Sequence, residues 1–137
     1  MRTASNLEIK IGMCAEARRQ ISDSDVRRFS EATGDFNPIH LDDALAADSI
    51  FGRRVAHGML SASLISALLA RDLPGPGTIY LSQTLSFRRP VGIGDTLRAS
   101  VHVLELDEEK RVCVLSTLVH NQEEELVLEG EAKVRVP

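Results

Sequence analysis

The chain is poor in cysteine. Its 137 residues hold two, Cys14 and Cys113. They stand far apart, each in a strand-like stretch, and fit no metal-ligand spacing or redox pair. No histidine lies close to either in sequence, so a nucleophilic thiol is not expected. Both read as reduced thiols packed as small apolar groups. Long hydrophobic runs are missing too. The longest uncharged apolar stretch, Gly58 to Ala70, is well short of the ~20 residues that cross a bilayer. No apolar run follows Arg2, so a secretory signal is not expected. There is no basic stripe, and the net charge of −4 argues against a nucleic-acid partner. Repeats, linkers and low-complexity segments are absent. Residues 1–137 are therefore expected to form one soluble, cytoplasmic domain, long enough to bury a core.

What is present has a clear order. Residues 7–21 read as extended, with Leu7, Ile9 and Ile11 alternating with polar positions. Ser22-Asp23-Ser24-Asp25 offers N-caps for a helix over 23–33, which Gly34 is placed to end. Asn37 precedes Pro38 and is pushed toward extended geometry, so Asp35 to His40 reads as a turn. A short helix follows from Asp42-Asp43 to about Asp48. The Gly58–Ala70 run then reads as a helix with no charged side, which belongs in a core. Gly58, Ala62, Ser66 and Ala70 make a stripe of small residues along it. After Pro76-Gly77 the period changes to two. Strand-like stretches cover 78–89, 96–106, 111–120 and 125–136, with connections short enough for antiparallel hairpins. A core helix followed by such a meander predicts an α+β hot-dog domain, a curled antiparallel sheet wrapped around a long buried helix.

Chemistry concentrates at Asp35 and His40. A carboxylate and an imidazole five residues apart across a proline turn can converge on one water. Histidine takes or gives a proton near neutral pH. The same Asp-x-Asn-Pro pattern is also good turn chemistry. Gly58 opens a helix, where unpaired N–H groups and the positive dipole end could bind an oxyanion. Glycine there could equally serve close packing. His57 reads as a capping or packing residue. Ser66 could bond Asp35 or line the pocket, although a helical serine more often bonds the carbonyl one turn back. Nothing requires it as a nucleophile. Paired arginines at 18–19, 27–28, 53–54 and 88–89 could include one pair that meets ligand phosphates.

The segment Ser30-Glu31-Ala32-Thr33-Gly34-Asp35-Phe36-Asn37-Pro38-Ile39-His40, followed by Ala56-His57-Gly58-Met59-Leu60, resembles the MaoC-like (R)-specific enoyl-CoA hydratases. So do Leu73 to Leu81, Phe87-Arg88-Arg89-Pro90-Val91 and Gly94-Asp95. The likeness runs from about residue 20 to the end. It is nearest to short single-domain bacterial members that feed polyhydroxyalkanoate synthesis. The resemblance implies a hot-dog homodimer that adds water to a trans-2-enoyl-CoA, with no metal and no cofactor. It implies that Asp35 and His40 are the catalytic pair and that Gly58 N–H binds the thioester oxygen. It places Ser66 where the family has a supporting serine. Asn37 and His57 are further supporting or pocket candidates, and Arg88 and Arg89, from their place beside the core strand, are the candidates to meet the CoA phosphates. The competing expectations are a 3-hydroxyacyl-carrier-protein dehydratase, a hot-dog thioesterase and a non-catalytic acyl-binding subunit.

Overall fold

The computed structural model describes residues 8–137. Period-two patterning builds its sheet. In β5 (Val112–His120) every second residue, from Cys113 through Leu115 and Thr117 to Val119, is buried. β4 (Thr96–Asp107) turns Leu97, Ala99, Val101 and Val103 to the same side. With β6 (Leu126–Arg135) these strands form an antiparallel meander. β1 (Cys14–Gln20) adds to the outer edge of β4. β2 (Ile79–Gln83) and β3 (Ser86–Phe87) both pair with β6. The order is β1-β4-β5-β6-β2, with β3 beside β6.

Three expectations are corrected here. Leu7 lies outside the described residues, and Ile9 and Ile11 precede β1, which begins only at Cys14. The stretch 78–89 is two strands broken at Thr84-Leu85. There Thr84 bonds Glu131 with both its N–H and its hydroxyl. Only glycine fits opposite this kink, because a Cβ on Gly130 would lie 1.7 Å from Thr84 O. Finally, Pro90 to Asp95 is not a hairpin. It carries the chain from β3, on β6, across to β4.

α1 (Asp23–Thr33) starts as the sequence predicts. Ser22 and Asp25 form a reciprocal capping box. Gly34 ends the helix at φ 81°, a left-handed conformation that suits glycine. α2 (Pro38–Leu41) and α3 (Asp43–Ala47) are single turns. α4 (Gly58–Arg71) packs on β4 and β5 through Ile65, Leu68 and Leu69. It is buried on that side only. Met59 is 56% exposed, and Ser63, Ser66, Ala67 and Ala70 also face outward. The expected core helix is thus buried on its sheet side, and the single sheet leaves its other face uncovered. The outward face lies beside β2, whose Ile79, Tyr80 and Leu81 are exposed as well. Cys113 is buried, and burial pushes its thiol up to about 11. Cys14 is exposed, so it does not pack as expected.

Candidate active site

The site is built from the chain between α1 and α4. After Gly34 the carboxylate of Asp35 accepts the N–H of Asn37 at 3.2 Å. The side chain of Asn37 accepts the N–H of Ile39 and caps α2. Pro38 takes the first helical position, where its missing N–H costs nothing. Asp35 to His40 is therefore a turn only as far as Asn37. The remainder is a one-turn helix that sets His40 inward.

His40 is buried, and its Nδ1 is 2.7 Å from the carbonyl of Val55. A carbonyl only accepts, so Nδ1 carries the hydrogen. In the neutral ring Nε2 then presents a lone pair. Arg54 holds the backbone of the same residue, donating to His40 O at 2.8 Å. Val55 bonds Ile39 O and Ala56 bonds Val91 O, so the strip facing His40 is fixed on both sides.

His57 lies against His40, ring centroids 3.9 Å apart. Phe29 covers the same imidazole at 4.7 Å. Its Nε2 is 3.0 Å from Ser30 Oγ and 3.3 Å from Asp35 O. The Asp35 carbonyl requires the hydrogen on Nε2, which leaves Nδ1 as a buried acceptor with no partner among the described residues. Burial first, and the neighbouring His40 second, hold the His57 pKa below its ordinary value. His57 is thus a neutral brace between α1 and the Asp35 backbone. It makes no side-chain cap for α4, so of its two expected roles packing is the one observed.

Gly58 opens α4. The N–H groups of Leu60 and Ser61 turn back to His57 O, whereas that of Gly58 bonds nothing among the described residues. Phe87 stands so close that a Cβ on Gly58 would meet its ring at 2.8 Å. Gly58, His40, Asn37 and Ser61 share one cavity of about 470 Å³ with an otherwise largely apolar wall. Arg88 and Arg89 also line it, but they are paired with Glu129 at 3.0 Å and Glu125 at 2.9 Å.

Side-chain donor atoms of Asp35, His40 and His57 lie within 4.8 Å of one another, and no other such group occurs among the described residues. A catalytic zinc ion takes three protein ligands. Here His57 has Nε2 engaged and Nδ1 shut in, which leaves two free ligands. Two acceptors are one short of a zinc site and suit a water.

Ser66 is not brought to this cavity. It lies about 12 Å along the helix axis from Gly58, at 1.5 Å per residue. It opens instead onto the outward face with Met59, Tyr80 and Leu81. Of the two roles open to it, the bond to Asp35 is absent within the chain. Sequence reasoning passed over Ser61, Ser30 and Phe87. Ser30 had a signal: it falls four residues after Val26 and so shares its buried face.

A curled antiparallel sheet around one helix, with a carboxylate and an imidazole overhanging the helix N-terminus, defines a hot-dog protein. The MaoC like domain model matches residues 6–124, and the chain belongs to that family. It is 48% identical over 130 residues to the 3-hydroxybutyryl-CoA dehydratase of Methylorubrum extorquens, covering 95% of this chain and 82% of that one. It is 43% identical over 129 residues to the (R)-specific enoyl-CoA hydratase of Aeromonas caviae, covering 94% and 96%. The solved (R)-hydratase from A. caviae involved in PHA biosynthesis superposes with a TM-score of 0.92, covering 94% and 98% of the two chains.

Proposed function

We propose that the chain is an (R)-specific enoyl-CoA hydratase, with Asp35 and His40 activating the water. The observation that carries this is the fixed tautomer of His40. Its Nδ1 hydrogen is committed to Val55 O, so Nε2 and the Asp35 carboxylate are the two groups left to accept from one water. The hydroxide adds to C3 of a trans-2-enoyl thioester. The proton removed from water goes to the pair, and one proton leaves the pair for C2, so the balance closes without a further reactant. Negative charge gathers on the thioester oxygen in between. Gly58 N–H, unpaired and at a helix N-terminus, stabilises it.

The same reading places the substrate as an acyl-CoA, with Arg88 and Arg89 exchanging their glutamates for CoA phosphates. The (R)-3-hydroxyacyl product is the kind of monomer that a polyester synthase consumes. A cytoplasmic setting accords with two free thiols. The assembly is a homodimer. Support comes from the open edge of β2 and the outward face of α4, which together expose Met59, Ile79, Tyr80 and Leu81. Light scattering should give twice the chain mass at micromolar concentration; a stable, active monomer would remove the dimer.

Crotonyl-CoA tests the activity. Loss of the enoyl absorbance with no free thiol, and an (R) product on chiral analysis, is the expected result. Release of thiol would make the protein a thioesterase. No reaction with any enoyl chain length would leave it an acyl-binding subunit.

A further inference from the structure

Most of the wall around His40 is apolar, yet one hydroxyl stands in it unpaired. Ser61 is 1% exposed, and its Oγ has no hydrogen-bond partner among the described residues. A helical serine usually bonds the carbonyl one turn back. Here that carbonyl, His57 O, already accepts from the N–H groups of Leu60 and Ser61 at 3.1 and 3.3 Å. A buried hydroxyl without a partner is rare in native proteins and costs stability.

Its position explains the cost. Ser61 shares the cavity with His40 and Gly58. It follows Gly58 by three residues, so the two lie on one side of α4. Helical side chains lean toward the N-terminus. A serine side chain leaning that way carries its hydroxyl toward the turn that begins with the free Gly58 N–H. With no protein acceptor competing for it, its hydrogen is available to a ligand.

We infer that Ser61 is a second donor to the thioester oxygen, completing with Gly58 N–H a two-donor site for the enolate. The inference rests on the hydratase reading. It separates two quantities that normally move together. A hydroxyl held unpaired for the substrate weakens the free protein and speeds the reaction.

Ser61→Ala should therefore keep or raise the melting midpoint. With crotonyl-CoA its kcat should fall on the order of 10²-fold, as for loss of one oxyanion donor, with little change in KM. A second measurement reads the bond itself. In an Asp35→Asn background, where hydration is slowed, Raman spectra of bound crotonyl-CoA taken before turnover should show a carbonyl stretch lowered from its free value. Adding Ser61→Ala should move that band back toward free. Unchanged kcat together with an unmoved band would overturn the assignment. So would a drop in melting midpoint with activity falling only as the folded fraction falls, because that is the behaviour of a packing residue. An active wild-type enzyme with an equally active Ser61→Ala variant removes Ser61 alone. A wild-type protein that hydrates no enoyl-CoA removes the hydratase reading with it.

Discussion

The helix α4 and the segment that precedes it, residues 34–57, are held by different forces. The sheet-facing side of α4 is apolar: Ile65 and Leu68 are fully buried against β4 and β5. The preceding segment has little apolar burial of its own. It is held by single hydrogen bonds, such as Asn37 to Ile39, His40 to Val55 and Arg54 to His40. Apolar contact is non-directional and fixes where a helix lies. Hydrogen bonds are directional and fix which way one ring nitrogen points. The division teaches that stability and chemistry should separate by region. Substitutions in the core should cost stability, and those in the segment should cost turnover.

The sharpest test is the pair itself. Asp35→Asn and His40→Ala should each lower turnover by at least ~10²-fold, the low end for general acid–base groups. Asparagine keeps the shape of Asp35 and can still bond Asn37 N–H, so substrate binding should survive. The double variant should be little worse than the worse single one, because residues acting as one unit lose activity non-additively. Steady-state kinetics on crotonyl-CoA with melting curves checks both halves. A near-wild-type Asp35→Asn enzyme would leave the turn as structure alone.

The opposite case is Leu68→Ala. Leu68 is fully buried on the sheet side of α4, so removal should cost ~2–5 kcal/mol in denaturant unfolding. Turnover per folded molecule should hold. A cost below about 0.5 kcal/mol, the range of surface sites, would put the helix outside the core. A fall in turnover with stability intact would break the division between the two regions.

The sequence made one of these regions far more legible than the other. Periodicity placed α1, α4, β4, β5 and β6, because burial on one face leaves a repeat of 3.6 or 2 in the chain. Strand partners were not legible. Nothing local says that β3 joins β6 and that the chain then crosses to β4; the pairing depends on Gly130 admitting the Thr84 kink. The burial of α4 was overread. A face without charge is the same in sequence whether its cover comes from this chain or from elsewhere. In the site, residue types pointed to Asp35, His40 and Gly58, since acceptor, base and free N–H are properties of single residues. The tautomer of His40 was hidden, because its partner is a backbone carbonyl fifteen positions away in the chain. Ser61 was hidden because its significance is the absence of a partner. Ser66 was placed by its spacing from Gly58, but along a helix spacing measures distance away from the first turn as well as alignment with it.

The smallest expected effect lies where the two regions meet, at His57. Its ring is buried between Phe29 and His40 and donates through Nε2 to Ser30 and Asp35. Burial and the adjacent His40 hold its pKa below the ordinary 6.5, outweighing the hydrogen bond and charge of Asp35. Just below pH 6.5 the unfolded chain therefore binds a proton at this residue while the folded chain does not. Stability rises with pH wherever the unfolded state holds more protons, so the folded form should weaken as pH falls from 6.5 toward the lower folded value. His57→Gln removes the titration but keeps an amide able to donate to Asp35 O. Melting midpoints of the two proteins, followed from pH 7.5 downward, should diverge in slope below 6.5, wild type falling faster. The depressed carboxyls of Asp23 and Asp25 act below the ordinary aspartate value of 3.8, outside this window. Equal slopes would mean that His57 takes up its proton within the fold, and the neutral brace beneath His40 would then be lost.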